Sequence, residues 1–186
     1  MLFRSMRGLP LGVPKVMVST LASGNVAPYV DISDIVMMPA VADISGLNAF
    51  TRAQCVRAAA TVAALVACRA GIAETATAAR PLVAASMFGN TTPCVERARE
   101  LLEAAGRDVV VFHATGTGGR TMEALVESGA VSAVLDVTTT EWADELVGGV
   151  LAAGPDRLSA AARSGIPAVI APGCLDMVNF GPPETV

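Results

Sequence analysis

Residues 115–120, Thr-Gly-Thr-Gly-Gly-Arg, combine groups that proteins use to bind a phosphate. The segment 116–119 contains three glycines in four positions, and glycine lets the backbone approach a ligand closely. Free amides at a helix N-terminus attract an oxyanion, and an arginine can add a two-pronged contact. We therefore expect the phosphate to be bound by Thr115, Gly116, Thr117, Gly118, Gly119 and Arg120.

The spacing of these glycines matches neither of two common nucleotide motifs. In a Gly-x-Gly-x-x-Gly pattern the third glycine would fall on Thr121, and a Walker loop needs Gly-Lys followed by Ser or Thr. A plain tight turn between a strand and a helix therefore remains the alternative interpretation of this loop.

Two further segments, residues 89–92 and 136–140, are also rich in hydroxyls and unhindered amides. The first contributes Asn90 and Thr91 as candidate ligand-binding residues. In the second, Thr138, Thr139 and Thr140 can donate hydroxyls to a phosphate or a sugar. Threonine is also an ordinary N-cap, so the alternative is that one of the last two threonines begins the following helix.

His113 and Asp136 are the candidates for proton transfer, because each ends a predicted strand beside one of these loops. A lone histidine is more often a packed or hydrogen-bonded spectator. The acids Asp136, Glu141, Asp144 and Glu145 offer magnesium ligands, although a solvated helix start has the same composition. No Gly-x-Ser-x-Gly motif occurs, so the sequence gives no support to hydrolase chemistry.

The elements that position these loops repeat along residues 82–147. Strands are predicted at 82–87, 109–112 and 131–135, and helices at 94–105, 120–127 and 142–147. A further helix is predicted from Pro155 to Arg163, followed by a strand at 168–171. This alternation predicts an α/β fold, a Rossmann-like three-layer αβα sandwich whose sheet is mainly parallel and whose loops converge at the carboxyl ends of the strands.

The residues before Ala78 predict the remnant of a preceding α/β domain. It comprises strands at 14–19 and 35–40 and a buried helix at 51–70. We expect one domain over 1–78, in which residues 1–7 have no clear pattern and 2–5 are candidates for foreign sequence. A second domain, truncated at its C-terminus, covers 79–186.

Composition narrows the classes of function. The net charge of −4 is spread along the chain without a basic run, which argues against nucleic-acid binding. The most apolar stretch, residues 58–68, is too short to cross a bilayer, so we expect no membrane partner. Four separated cysteines and a single histidine argue against zinc and for a reducing, cytoplasmic location. The cysteines are expected to be buried and free, with a catalytic thiol as the alternative.

Two long segments, residues 113–184 (HATGTGGRTMEALVESG and onward) and 12–48 (GVPKVMVSTLASGN and onward), resemble a known family. It is the uncharacterised family of bacteria, fungi and plants that includes the tomato mosaic virus resistance protein. The resemblance implies an ATP-binding region of two Rossmann-like domains, of which this chain is a fragment. It also implies an upstream glycine-rich loop outside the chain and, in some bacterial relatives, a TIM-barrel domain.

These observations support three hypotheses for function. The first is a module that binds ATP, with or without Mg²⁺, or another phosphate-bearing small molecule. The second is a transferase or lyase acting on a phosphorylated or carboxylated substrate. The third is a protein-interaction module, and an incomplete first domain favours self-association into a homo-oligomer.

Overall fold

A computed structural model gives the fold of residues 2–75 and 80–182. The chain divides into two compact units, residues 1–79 and 80–186, and each is described by itself. The boundary predicted near Ala78 falls outside the described residues.

Unit 1 contains a parallel pair of strands and a long helix. Val16 pairs with Val36 in this two-stranded sheet, and the long helix packs against the first strand. Its elements are α1 (Leu2–Arg7), β1 (Val16–Ser19), a 3-10 turn (Thr20–Ser23), α2 (Ala27–Val30), β2 (Val36–Pro39) and α3 (Ala49–Thr75).

Lys15 fastens the start of β1 to the segment that leads into β2. Its ammonium group donates to the carbonyl oxygens of Pro10 at 2.7 Å and Val13 at 3.0 Å. It also lies 2.6 Å from Oδ1 of Asp34. The lysine is only 2% exposed, so these three oxygens replace the water that its charge would otherwise bind.

Unit 2 contains a four-stranded parallel sheet in the order β4-β3-β5-β6. The elements are β3 (Leu82–Met87), a 3-10 turn (Gly89–Thr91), α4 (Thr92–Ala104), β4 (Asp108–His113), α5 (Thr117–Glu127), β5 (Ala133–Thr138), α6 (Thr140–Val147), α7 (Ala160–Ser164) and β6 (Ala168–Gly173).

Two apolar layers hold helices on opposite faces of this sheet. On one face, Val95 of α4 packs with Ala85 and Val137. On the other, α5 and α7 cover Ala84 and Val134. Adjacent residues of β3 therefore face different layers, as the two-residue period of a strand requires. The α/β prediction with a parallel sheet between helices is confirmed.

The strand order fixes where the loops meet. The chain passes from β3 to β4 on one side and then to β5 on the other, so its direction reverses at β3. In open parallel sheets, ligands bind outside the carboxyl ends of the strands near such a reversal. This edge carries the loops after β3, β4 and β5.

The helix predicted from Pro155 to Arg163 is shorter in the structure. Residues 155–158 form turns, and α7 covers only Ala160–Ser164. Leu158 has a φ of 73°, outside the helical region. The positive φ of Leu158 therefore separates α7 from the turn that carries the buried Arg157.

Two expectations about burial are wrong. Most described side chains of α3 between Arg52 and Arg69 are exposed, although the sequence predicts a buried helix. Cys174 alone of the four cysteines is buried, and Cys55, Cys68 and Cys94 are exposed free thiols. Among the described residues, no helix has both the length and the apolar character needed to cross a membrane.

Candidate functional site

The glycine-rich loop joins β4 to α5 at the carboxyl edge of the sheet, and its glycines allow close packing. A Cβ on Gly118 would lie 1.7 Å from the carbonyl oxygen of His113. A Cβ on Gly119 would lie 2.1 Å from Oε2 of Glu141. Contacts this short would force the carbonyl of His113 or the side chain of Glu141 to move, so both positions favour glycine whether or not the loop binds a ligand.

Glu141 places a carboxylate against the amides of this loop. Its Oε1 accepts hydrogen bonds from the backbone N–H of Gly116 at 2.6 Å and of Gly119 at 3.0 Å. The glutamate is completely buried on α6. At these two amides the protein thus supplies its own anion, in the place where the sequence predicts a phosphate.

The environment of Glu141 affects its charge in two opposing ways. Burial raises the pKa of its carboxyl group, whereas Arg157 and the amides of Gly116 and Gly119 lower it. The net pKa lies above the ordinary value, because removal from water has the largest effect. These donors therefore offset part of the cost of burying the carboxylate.

Arg157 connects the acids of three elements. Its Nε donates to Oε2 of Glu141 at 2.6 Å. Its two terminal nitrogens donate to the two oxygens of Asp136 at 2.5 and 2.8 Å, and one also donates to Glu123 at 3.1 Å. Burial alone would lower the pKa of this guanidinium, but Asp136 and Glu141 raise it above its ordinary value. Arg157 therefore remains charged and ties α5, β5 and α6 together.

The two candidates for proton transfer are not brought together. Asp136 is 1% exposed and also accepts a hydrogen bond from Ser86 Oγ at 2.6 Å. His113 is exposed at the end of β4. Their strands lie on either side of β3, which separates them by about 10 Å. Asp136 thus forms a buried ion pair with Arg157, whereas His113 lies at the surface, away from Asp136.

The candidate threonines fasten loops to one another. The hydroxyls of Thr91 and Thr138 lie 2.6 Å apart in the interior. Thr139 Oγ1 donates to the carbonyl of Ala171 at 3.2 Å, and Thr140 Oγ1 donates to that of Met177 at 3.2 Å. Thr139 occupies the N-cap of α6 by position, but its side chain makes no capping bond. All four threonines are buried, so their hydroxyls are engaged within the protein.

Several other predicted residues do face solvent at this edge. Asn90 and Thr117 are exposed, and Thr115, Gly118 and Arg120 are half-buried. The rings of Phe88 and His113 pack edge to face with centroids 5.4 Å apart. We call Phe88, Asn90, His113, Thr115, Thr117, Gly118 and Arg120 the outer edge of the sheet.

The acids of α6 that the sequence offers for magnesium have internal partners. Asp144 accepts the backbone N–H of Leu151 at 2.8 Å and of Asn179 at 2.9 Å. Glu145 accepts the N–H of Gly154 at 3.1 Å. In the part of the chain that the structure describes, no three His, Cys, Asp or Glu side chains are grouped to hold a metal ion.

Sequence reasoning missed Arg157 and Glu123, which complete the buried network. A signal for Arg157 exists, because it is the one basic residue between Arg120 and Arg163, a segment with seven acids. Glu123 gave no such signal, because acids are ordinary on the polar face of an amphipathic helix. Its carboxylate accepts the amides of Leu158 at 2.8 Å and Ala160 at 2.7 Å, which joins α5 to the start of α7.

Comparison with known proteins places the chain in a family. Residues 80–186 match the C-terminal domain, and residues 1–71 the N-terminal domain, of an uncharacterised protein family (UPF0261). A UPF0261 protein of Clostridium tetani is 56% identical over 182 residues, which cover 98% of this chain and 44% of that protein.

Two other relatives agree with this assignment. The UPF0261 protein RA0729 of Rhizobium meliloti is 55% identical over 97% of this chain and 44% of its own length. The ToMV resistance protein Tm-1(GCR237) of Solanum lycopersicum is 45% identical over the whole chain, which spans 25% of that protein. The chain thus spans less than half the length of the relatives it matches, and the resemblance seen in its sequence is confirmed. It belongs to the UPF0261 family.

Proposed function

We propose that unit 2 binds ATP, or another small molecule that carries a phosphate group, at the outer edge of its sheet. The observation that carries this proposal is the position of the glycine-rich loop. It begins α5 at the carboxyl end of β4, next to the loop after β3. Open parallel sheets bind their ligands at this edge, and helix N-termini favour anions there. The family resemblance also implies an ATP-binding region.

The contacts of Glu141 determine which part of the loop is available. The amides of Gly116 and Gly119 are directed to its carboxylate in the interior. The proposed phosphate therefore lies on the solvent side of the first turn of α5, beside Thr117 and Gly118. Arg120 supplies a positive charge one turn further along the helix, and Asn90 supplies an amide from the neighbouring loop.

The ring pair of Phe88 and His113 is the proposed surface for the rest of the ligand. Both rings lie at the ends of adjacent strands, and aromatic faces stack on nucleobases. An enzyme that uses Asp136 as its acid or base is less favoured. That carboxylate is buried and holds Arg157 in two hydrogen bonds.

The test is calorimetric titration of ATP with Mg²⁺ into the chain and into two variants at the exposed residue 117. Thr117→Asp adds a negative charge beside the proposed phosphate, while an acid in the first turn also favours the helix. Thr117→Asn is the neutral control of similar shape. We expect the Kd to rise about tenfold or more in Thr117→Asp, which corresponds to about 1.4 kcal/mol, and to change little in Thr117→Asn.

Inorganic tripolyphosphate serves as a second probe. If it competes with ATP, the phosphates carry the recognition; if only ATP binds, the rings contribute strongly. Equal affinity of all three proteins for ATP would move the site away from α5. Absence of saturable binding to the wild-type chain would overturn the proposal and leave the interaction module as the better hypothesis.

A further inference from the structure

Helix α3 has no polar face. Between Thr51 and Arg69 its only charged residues are Arg52, Arg57 and Arg69, and residues 58–68 contain none. A helix on the surface of a protein normally shows one apolar stripe and an opposite polar face. A helix that is apolar all round is normally enclosed by other elements.

Within unit 1, α3 has only one covered stripe. Its buried and half-buried side chains follow one another at intervals of three and four residues, which places them on one side of the helix. They are Thr51, Gln54, Ala58, Thr61 and Leu65. This is the stripe that the contact with β1 requires.

The opposite side of α3 is apolar and exposed. Val56, Ala60, Ala63 and Ala67 lie there at the same helical spacing, and we call them the outer face of α3. Val56 is 63% exposed. Val66, on the flank of the helix, is 55% exposed. Small side chains of this kind let another backbone approach closely, and no acid interrupts them.

We propose that the outer face of α3 is an internal packing surface in the longer relatives. There it is covered by polypeptide of the same protein that lies outside the matched residues. More than half of each bacterial relative lies outside the match, since 182 residues are 44% of the Clostridium tetani protein. Between Val56 and Ala67 the composition of the face selects an apolar helix or sheet as its cover, because these side chains offer neither hydrogen bonds nor charge. The exposed Arg52 lies on the same side, one turn before Val56.

The size of the face argues against a second copy as the cover. Residues 51–69 extend about 28 Å, and a helix is about 10 Å wide, so the face offers only ~300 Å² per copy. A stable interface between proteins needs about 800 Å² from each partner. Polypeptide joined to the helix needs less area, because it loses less translational and rotational freedom on packing.

The test compares the reactivity of a thiol in two proteins. Ala63→Cys is placed in the 186-residue chain and in the Clostridium tetani protein whose 182 matched residues are replaced by this chain. Maleimide labelling of residue 63 is followed by peptide mass spectrometry, with the exposed Cys94 on α4 as the reference. We expect labelling at nearly the rate of the denatured protein in the short chain, and at least about tenfold slower labelling in the long one.

Equal rates in both folded proteins would overturn the proposal. So would slow labelling in the 186-residue chain itself, because the cover would then be another part of this chain or a second copy. Analytical ultracentrifugation distinguishes those two cases. If the hybrid protein does not fold, Ala63→Lys replaces this test. This substitution should leave the melting temperature of the short chain unchanged. A lysine at the aligned position of the Clostridium tetani protein should lower the melting temperature of that protein by several degrees. An unchanged melting temperature there would also overturn the proposal.

Discussion

Arg157 is the only cation among the four buried charged side chains described in unit 2, the others being Asp136, Glu141 and Asp144. Its guanidinium contacts two of these acids, and the half-buried Glu123 as well. A buried ion pair adds little compared with apolar packing, but the removal of one partner leaves the other charged group without compensation. Single substitutions in this network should therefore be costly.

Arg157→Ala should lower the free energy of unfolding by about 3–5 kcal/mol, because Asp136 and Glu141 would lose their shared donor. Arg157→Lys should recover only part of this loss, since an ammonium group cannot reproduce the paired hydrogen bonds of the guanidinium to both oxygens of Asp136. Urea unfolding followed by circular dichroism measures both. The control is Arg163→Ala, which breaks an exposed pair with Glu127 and should leave the midpoint near the wild-type value. A similar midpoint for Arg157→Ala would show that the network does not stabilise the fold.

Asp34 gives unit 1 a dependence on pH. Burial raises the pKa of its carboxyl group. Hydrogen bonds from Lys15 and the Gly12 amide, together with the charge of Lys15, lower the pKa by more, so that it lies below the ordinary value of 3.8. The stabilisation is thus fully present above the unfolded value of 3.8 and is lost as the pH falls through the lower, folded value. Asp34→Asn should flatten the stability curve of unit 1 as the pH falls below 3.8, where the wild type loses this contribution. Parallel curves for the variant and the wild type would contradict this.

At the scale of elements, the start of α5 is held against the end of β4 by the absence of a side chain at residue 118. The carbonyl of His113 occupies the space where a Cβ would stand, at 1.7 Å. A backbone atom cannot move aside as a flexible side chain does. The helix would have to shift away from the sheet, and the contact of Gly119 with Glu141 would be strained with it.

Gly118→Ala should therefore destabilise unit 2 by about 1–3 kcal/mol, the usual cost of overpacking. This occurs although alanine is the better helix former. Thr117→Ala, at the exposed neighbouring position, is the matched control and should change stability little. Thermal unfolding of the two variants provides the comparison. An increase in the melting temperature of Gly118→Ala would mean that helix propensity, and not space, governs this turn.

At the scale of the whole molecule, each unit exposes large apolar side chains. β6 lies at the edge of its sheet and exposes apolar side chains there: Val169 is 64% exposed and Ile170 is 53% exposed. Strands that are apolar on both faces are typical of the middle of parallel sheets. Among the described residues, Val169 and Ile170 in unit 2 and the outer face of α3 in unit 1 are therefore exposed apolar surfaces.

The candidate site was predictable only in part. Its place at the carboxyl edge follows from the alternation of strands and helices, and Asn90, His113 and Thr117 do lie exposed there. The roles of the buried threonines were not predictable. Their partners, such as Ala171 for Thr139 and Met177 for Thr140, are more than 30 residues away in the sequence.

The sequence by itself determined the order and type of the elements in unit 2. Strand and helix periodicity are local properties, set by side chains within a few residues of each other. Only the tertiary structure decided that Glu141 accepts hydrogen bonds from the amides of Gly116 and Gly119. It also decided that Arg157 is buried and donates to Asp136. Those partners are between 21 and 25 residues apart, and only the folded arrangement of β4, α5, β5 and α6 brings them together. Their attraction depends on burial, and burial is a property of the folded molecule.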